Sequence, residues 1–295
     1  MVWLPREIWS DRKLGDLAPG RAADLALGIF CTPVLSQWRH PEQHILVQRA
    51  RHHLRHSAHQ RIWTPVGEVA TYRFDPEGPP RGSVLLVHGW TSEASFMAAI
   101  AEPIRRSGFT TLIVDLPAHG MSQGRTATLI DCASAIVAIG GTLGPFDAVV
   151  SHSFGGMAAL VAIEGAPPMP DSLKVVKRLV LIASPNRLSD ITRQFATHWE
   201  LTIPALRAFE KRLERIGRRP ISHFAVARLL AASRRPALLI HARNDIDVPF
   251  SASEEIAAQC PHAELLPFDD LGHRLVLFAS QVARRIVAYL RELRS

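Results

Sequence analysis

Short apolar segments alternate with helical patterns from about residue 69 onwards, and this alternation places the strongest constraint on the fold. The segments are apolar at successive positions, as in SVLLVHG, FTTLIVD, DAVVSHS, RLVLIAS and PALLIHA. Continuous apolar runs of this length are typical of strands that are buried on both faces. Helical patterns lie between them, near residues 93–106, 127–140, 154–165, 251–259 and 279–293. We therefore expect an α/β fold with a mostly parallel, doubly wound sheet covered by helices on both faces.

Two segments do not follow this alternation. Residues 1–65 precede it, and residues 185–233 separate two predicted strands by more chain than one crossover requires. The second segment places Leu206, Phe209 and Leu213 on one apolar helix face. We expect a helical cap in that segment, whereas the pattern of the first leaves open whether it packs on the body, extends the cap or mediates dimerisation. The predicted domains are an N-terminal helical extension (1–65), a core (66–184 and 234–295) and a cap (185–233).

The composition indicates a folded protein with a sizeable core. Of the 295 residues, 47% are hydrophobic and 21% are charged, as in typical globular proteins. No window of roughly 18 uncharged apolar residues is present, so we expect no transmembrane segment. The N-terminus lacks the apolar block of a signal peptide. The three cysteines are scattered and follow no metal-ligand spacing, so we expect a reducing, cytoplasmic location.

Positive charge is concentrated near the N-terminus and in the predicted cap, and the chain carries a net charge of +7. No nucleic-acid-binding motif accompanies the charge, so we favour solvated helix faces over a nucleic-acid partner. The run RARHHLRHSAHQ places His52 and His56 on one helix face, with His59 nearby, which raises the alternative of a zinc site. No carboxylate or cysteine accompanies them, and Arg51 and Arg55 would repel a cation. We therefore expect neither a metal nor another cofactor.

The segment VVSHSFGG (149–156) ends a predicted strand in a serine that precedes a helical pattern. Reactive groups in parallel sheets collect at the carboxyl ends of the strands, where Ser153 lies. Ser151 and Gly155 flank it in the spacing of the nucleophile elbow G-x-S-x-G, except that serine replaces the first glycine. An N-cap serine fits the same pentapeptide, so the presence of catalytic partners elsewhere in the chain has to decide.

A nucleophilic serine needs a base within hydrogen-bond reach and a carboxylate that orients the base. After an elbow the expected chain order is serine, acid, histidine. Asp245 and Asp247 follow a predicted strand, and His273 lies in a glycine-containing loop after the last one. All three positions are at carboxyl ends of strands, so these groups can meet at one edge of the sheet. His241, within a strand pattern, and His262, before the last strand, are weaker candidates for the base.

With these residues in place, the chain resembles an α/β-hydrolase. Four motifs carry the resemblance: LLVHGW (85–90), DLPAHGMS (115–122), SHSFGG (151–156), and the late pair NDIDVP and GH. The resemblance implies a triad of Ser153, His273 and Asp245, because the family's aspartate stands three residues before the valine of VP. It also implies an oxyanion hole formed by the backbone N–H groups of Trp90 and Phe154. Residues 1–65 lie outside the resemblance.

Several side chains near these motifs receive a structural interpretation. We expect His88 and His119 to support the loops around the oxyanion site through hydrogen bonds, and His152 to point away into the scaffold. Asp247 reads as a turn or capping residue. Four apolar cap residues either line an acyl pocket or form the core of the cap itself, and the sequence favours neither: Phe195, Trp199, Phe209 and Phe224.

The sequence thus predicts a serine hydrolase that cleaves a small-molecule carboxylic ester through an acyl-enzyme intermediate. The same triad suits an amidase or peptidase, a thioesterase, a lactonase or an acyltransferase, and these alternatives stay open. The serine disfavours dehalogenases and epoxide hydrolases, whose nucleophile at this position is an aspartate. A non-catalytic ligand-binding module on the same fold is the alternative from another class. It predicts the loss of a triad member, whereas all three are present.

Overall fold

The structure, a computed structural model, describes residues 14–33, 48, 51–52, 54–55 and 57–293. Within this part of the chain, eight strands form one sheet in the order β1-β2-β4-β3-β5-β6-β7-β8. The strands are β1 (Ala58–Thr64), β2 (Gly67–Phe74), β3 (Ser83–Val87), β4 (Thr110–Val114), β5 (Ala148–His152), β6 (Arg178–Ile182), β7 (Ala237–Ala242) and β8 (Ala263–Phe268).

The sheet is parallel from β4 through β8, and only its first two strands run antiparallel to their neighbours. The predicted mostly parallel sheet is therefore confirmed. The expectation of a helical segment is wrong for residues 58–64, because they form β1 and pair with β2 at the edge of the sheet. Ile62 is the one buried residue of β1. The strand therefore lacks the continuous apolar run that predicts the inner strands. Most of the predicted extension, including residues 1–13 and 34–47, lies outside the described residues.

Helices cover both faces of the sheet, as the alternation predicted. We number them α1 (Pro19–Phe30), α2 (Ala94–Arg106), α3 (Leu129–Leu143), α4 (Phe154–Glu164), α5 (Leu188–His198), α6 (Ile203–Gly217), α7 (Val226–Ser233), α8 (Ser251–Gln259), α9 (Gly272–Leu275) and α10 (Ser280–Arg291). One apolar core lies between the sheet and α3, α4, α7 and α8, and the other between the sheet and α2 and α10. In β3, Leu85 and Val87 enter the first core while Val84 and Leu86 enter the second. Strands that face two cores need apolar residues at every position.

We use the name cap for α5 and α6 of the predicted cap segment; these two helices pack on each other, and α1 packs on α6 as a third helix. Residues of all three helices share a small apolar core that includes Ala26, Phe195, Trp199 and Phe209. Three of the four candidate pocket residues therefore form the core of the cap, and the fourth, Phe224, lies in the main core. Helix α1 thus extends the cap, which was one of the three alternatives for the N-terminal segment.

The predicted cap extends too far along the chain at its C-terminal end. Helix α7 (226–233) packs on α4 and α8 rather than on the cap helices. Its residues Leu229 and Leu230 belong to the core beside the sheet. Helical periodicity identifies an apolar face but not the surface it covers, so the boundary could not be read from the pattern.

Ionic contacts attach both ends of the cap to the body. Near its start, Arg187 contacts Glu255 of α8 at 2.6 Å. Near its end, Glu164 of α4 accepts one hydrogen bond from Arg219 at 2.7 Å and interacts with His223 at 2.9 Å. These contacts hold the cap against helices that begin next to the carboxyl ends of the central strands. Among the described residues, no helix combines the length and the apolar sequence that crossing a bilayer requires.

Candidate active site

Ser153 lies at a sharp turn between β5 and α4. Its backbone has φ 52° and ψ −128°, a conformation that residues other than glycine rarely adopt and that is often found at functional sites. The Ser153 N–H donates to the Ile182 carbonyl of β6 at 2.8 Å, so the strained turn is tied to the neighbouring strand. This is the backbone geometry expected for a nucleophile elbow.

The elbow packs so closely on β3 and the loop after it that small residues are required. A Cβ atom at Gly155 would lie 2.4 Å from the His88 carbonyl oxygen. A Cβ atom at Gly89 would lie 2.9 Å from the Cβ of Ser153. The loop that carries Gly89 and Trp90 therefore lies directly against the serine.

Ser151 occupies the position where the elbow motif has its first glycine. The residue is completely buried in β5, and its hydroxyl donates to the Val180 carbonyl of β6 at 3.2 Å. A buried hydroxyl is tolerated when it has a hydrogen-bond partner. The departure from the motif is thus accommodated within the sheet.

The three predicted triad residues meet at the carboxyl edge of the sheet. His273 Nε2 lies 3.1 Å from Ser153 Oγ, and His273 Nδ1 lies 2.7 Å from Asp245 Oδ2. Both distances are within hydrogen-bond range. His273 belongs to the short helix α9 rather than to the loop that was expected. The geometry brings together a hydroxyl, an imidazole and a carboxylate whose residues are 120 and 28 positions apart in the chain.

Asp245 is buried and fully hydrogen-bonded. Its Oδ1 accepts the backbone N–H groups of Asp247 and Val248, each at 2.9 Å. Its Oδ2 lies between His273 and a second imidazole, that of His241, at 3.2 Å. Burial favours the neutral carboxyl, but the hydrogen bonds from His241 and His273 outweigh it and lower the pKa of Asp245 below its usual range. The carboxylate is therefore ionised at neutral pH, and Asp247 supports it through the backbone.

His88 and His119 bind the loops beside the elbow, as expected. The Leu116 N–H donates to His88 Nε2 at 3.0 Å, and the Thr91 N–H donates to His119 Nε2 at 3.2 Å. His262 lies elsewhere, next to the Leu230 carbonyl. These contacts keep all three rings out of the position that a general base needs.

The expectation that His152 points away into the scaffold is wrong. Its ring lies against that of His273, with centroids 4.7 Å apart, and its Nε2 lies 2.8 Å from the His273 carbonyl oxygen. Alternation along a strand predicts that His152 and Ser153 point in different directions. It does not predict that His273, 121 positions away in the chain, packs on the His152 ring.

The two candidate oxyanion donors belong to segments that adjoin Ser153. Phe154 is the first residue of α4, so its N–H has no acceptor within the helix. Trp90 follows Gly89, which lies against the serine, and its ring contacts that of Phe154 in an edge arrangement with centroids 5.2 Å apart. The role of these two N–H groups stays a prediction.

A small cavity adjoins the candidate oxyanion site. The cap, α1 and the body all contribute to its walls, which include Phe30, Trp90, Phe154, Leu188, Ile191 and Leu213. Cys31 lies beside these residues, and burial raises the pKa of its thiol to about 12. The thiol is therefore uncharged at neutral pH, and the cavity offers an apolar environment.

No group of three or more His, Cys, Asp or Glu side chains in the described part of the chain is arranged to hold a metal ion. The alternative zinc site included His52, His56 and His59. His56 lies outside the described residues, and His59 lies in β1 with its ring 5.0 Å from that of Tyr72.

The fold and the site define an α/β-hydrolase with a serine at its elbow. Residues 84–287, which are more than half of the chain, match the model of an alpha/beta hydrolase family. The chain therefore belongs to the α/β-hydrolase family, and the fold expected from the sequence is confirmed.

Curated relatives carry the name pimeloyl-[acyl-carrier protein] methyl ester esterase. The protein of Nitrosomonas europaea is 24% identical over 233 residues, which are 64% of this chain and 88% of that protein. The protein of Aromatoleum aromaticum is 28% identical over 240 residues, or 65% of this chain and 91% of that protein. Both names agree with the expected hydrolysis of a carboxylic ester.

Solved structures show the same fold at low sequence identity. Est1E from Butyrivibrio proteoclasticus matches with a TM-score of 0.63 and 17% identity, covering 80% of this chain and 98% of that one. The esterase Pf2001 of Pyrococcus furiosus matches with a TM-score of 0.60 and 22% identity, covering 80% and 92%. Both likenesses support the sheet and helix arrangement described above.

Proposed function

We propose that the protein is a serine hydrolase that cleaves carboxylic esters through an acyl-enzyme intermediate. The single observation that carries the proposal is the hydrogen-bonded chain from Ser153 Oγ through His273 to the buried Asp245. An N-cap serine or a ligand-binding module has no need of an imidazole and an ionised carboxylate in this order. The strained elbow at Ser153 supports the same conclusion.

Each triad residue has a role that follows from its contacts. Asp245 accepts the Nδ1–H of His273, which leaves Nε2 free to accept the proton of Ser153 as the hydroxyl attacks the acyl carbon. The N–H groups of Trp90 and Phe154 stabilise the oxyanion, and one such donor typically contributes about 3–4 kcal/mol. His273 then protonates the leaving alcohol, and a water molecule repeats the sequence to release the acid.

The apolar cavity beside Trp90 and Phe154 supports a substrate with an uncharged, apolar acyl group. The described residues of its walls include no charged partner for a carboxylate or an ammonium group, and burying an unpaired charge is costly. We therefore propose small-molecule esters with short or medium acyl chains. The names of the curated relatives support methyl esters as one class to be tested.

The proposal is tested by assaying purified protein with p-nitrophenyl and methyl esters of graded acyl length, and with the corresponding amides and thioesters. Ser153→Ala should lower ester turnover by at least about 10³-fold, as for other serine hydrolases. It should also abolish labelling by a fluorophosphonate probe. Ser251→Ala, at an exposed position of α8, is the matched control and should keep both properties.

Ester turnover at the parent level in Ser153→Ala would contradict the proposal. Faster turnover of amides, thioesters or lactones than of esters would assign the same triad to one of the alternative hydrolases. A parent protein that is folded but not labelled at Ser153 would favour the ligand-binding module.

A further inference from the structure

Asp245 contacts a second histidine besides His273, and the proposed mechanism leaves this contact unexplained. His241 lies in β7 and is completely buried. Its Nε2 is 3.2 Å from Asp245 Oδ2 and 3.0 Å from the Val248 carbonyl oxygen. Its Nδ1 is 2.7 Å from the hydroxyl of Ser253 in α8. A continuous chain of five polar side chains therefore runs from Ser253 through His241, Asp245 and His273 to Ser153.

The contacts of His241 determine which ring nitrogen carries the proton. A carboxylate oxygen and a carbonyl oxygen both face Nε2, and both groups only accept hydrogen bonds. The Nε2 atom must therefore carry hydrogen, and in the neutral ring Nδ1 accepts the hydroxyl proton of Ser253. Neutral His241 is thus a donor to Asp245.

We propose that His241 is a positioning residue that holds the carboxylate of Asp245 in the plane required by His273. Its hydrogen bond also weakens the electrostatic attraction between that carboxylate and the His273 ring. The inference rests on the proposed triad chemistry. Backbone N–H groups hold Oδ1, so the hydrogen bond from His241 to Oδ2 blocks the remaining rotation of the carboxylate. The two imidazoles share one oxygen, so the bond from His241 reduces the negative charge that faces His273.

The surroundings of His241 contain few charged groups. Within the described contacts, Asp245 is the charged group that faces the ring, and His273 lies behind it. On the other side, the Phe250 ring meets His241 edge-on at 5.7 Å, and the guanidinium of Arg243 covers that phenyl ring at 4.8 Å. A change at His241 should therefore reach the reaction through Asp245.

A purely structural role makes a different prediction. His241 also bridges to the Val248 carbonyl, so it closes the loop between β7 and α8. If loop closure were its whole function, loss of the ring would lower stability but leave the turnover of folded molecules and its pH dependence unchanged. The two roles therefore differ in kcat and in the pH profile.

The test compares His241→Leu with His241→Gln in the full chain, using a p-nitrophenyl ester and enzyme quantified by fluorophosphonate titration. Leucine removes the donor, whereas the side-chain amide of glutamine can restore a donor near the position of Nε2. We expect His241→Leu to lower kcat by about 10- to 100-fold with KM within about twofold, because misplacement of catalytic groups by about 1 Å has such effects. His241→Gln should recover most of the loss.

The pH profile gives a second readout. Without the bond from His241, Asp245 holds the protonated ring of His273 more strongly, so the acid limb of kcat/KM should move to higher pH in His241→Leu.

Ser253→Ala, which keeps the ring of His241 but removes the partner of its Nδ1, should lower kcat by a smaller factor. This variant provides the test if His241→Leu does not fold. His262→Leu is the matched control, since the ring of this histidine lies next to the Leu230 carbonyl, away from Asp245.

Parent values of kcat and an unchanged acid limb in the folded variants at positions 241 and 253 would overturn the inference. The proposed function would survive that result, provided that the parent enzyme is labelled at Ser153. Absence of Ser153 labelling in the parent would instead refute the triad itself.

Discussion

The side chain of His152 donates a hydrogen bond to the backbone carbonyl of His273, with Nε2 and O 2.8 Å apart. Burial and the neighbouring His273 lower the pKa of His152 well below its usual range, so the ring is neutral and its hydrogen is on Nε2. Its Nδ1 is buried and has no hydrogen-bond partner within the described part of the chain. The residue before the nucleophile thus fixes the backbone of the residue that acts as the proposed base.

We expect His152→Phe to lower kcat several-fold because it keeps an aromatic ring but leaves the His273 carbonyl without its donor. An unsatisfied buried carbonyl costs about 1–3 kcal/mol, so the variant should also unfold at a lower urea concentration. Steady-state kinetics and urea denaturation measure the two effects. The control is Leu275→Ala, because Leu275 is exposed and lies in the short helix α9 that also carries His273. Parent kinetics in His152→Phe would contradict the prediction.

A second prediction concerns the pH dependence of stability at Asp115. This carboxyl accepts hydrogen bonds from the Tyr72 hydroxyl and from the N–H groups of Ala94 and Met121. Burial nevertheless raises its pKa to about 6, from 3.8 in the unfolded chain. The folded protein holds this proton more tightly, so the proton contributes stability below about pH 4 and the contribution is lost as the pH rises through about 6.

Urea denaturation at several pH values measures this effect against Asp115→Asn, which cannot titrate. Between about pH 4 and pH 6 the free energy of unfolding of the parent should fall relative to the variant by an amount on the order of 3 kcal/mol. Asp115→Asn should be less stable than the parent at pH 4, because its amide cannot reproduce all three accepted bonds. Parallel stability curves for the two proteins would refute the prediction.

Two glycines with opposite surroundings provide a matched pair. A Cβ at Gly89 would lie 2.9 Å from the Cβ of Ser153 and 3.1 Å from Nδ1 of His152, whereas a Cβ at Gly141 would meet nothing within 4 Å. Gly89→Ala should displace the loop beside the nucleophile and destabilise the protein by about 1–3 kcal/mol, with a loss of kcat. Gly141→Ala, in α3, should stabilise it by about 0.5–1 kcal/mol. Thermal unfolding and steady-state kinetics of both variants test these expectations, and equal stability of the two variants would contradict them.

The last prediction concerns the apolar cavity. Ile191 of α5 lines it and is 3% exposed. Ile191→Ala should shift the preference towards longer acyl chains, and Ile191→Phe towards shorter ones. The change in kcat/KM is about fourfold for each methylene gained or lost, because a buried methylene contributes about 0.8 kcal/mol. Ile203→Ala, at an exposed position of α6, should leave the preference unchanged. Equal chain-length profiles for all variants would place the acyl group elsewhere.

The inner strands, the helices between them and the positions of the candidate triad residues at strand ends were predictable from the sequence because their signals are local. Apolar runs such as Val84 to Val87 identify buried strands without knowledge of their neighbours. The placement of Ser153, Asp245 and His273 at one edge is expected because the carboxyl ends of parallel strands lie together. The resemblance to a known family selected Asp245 over Asp247, and the structure brings Asp245 into contact with His273.

Other features were set by contacts between distant segments. β1 has one buried residue and becomes a strand because β2 offers it hydrogen-bonding groups. Helix α1 joins the cap through Phe30, whose ring packs on those of Phe195 and Phe209. Those two cap residues fill the core of the cap instead of the cavity. Periodicity shows that a face is apolar, but the geometry of packing decides which surface covers it.

The sequence by itself determined the α/β architecture and the three residue types that the proposed chemistry needs. Only the tertiary structure decided what surrounds those residues, such as His241 behind Asp245 and His152 behind His273, and which helices pack together as the cap. A strand or an elbow is encoded by a few adjacent residues. A hydrogen bond such as that between His152 and the carbonyl of residue 273 exists only after folding has brought distant segments within about 3 Å.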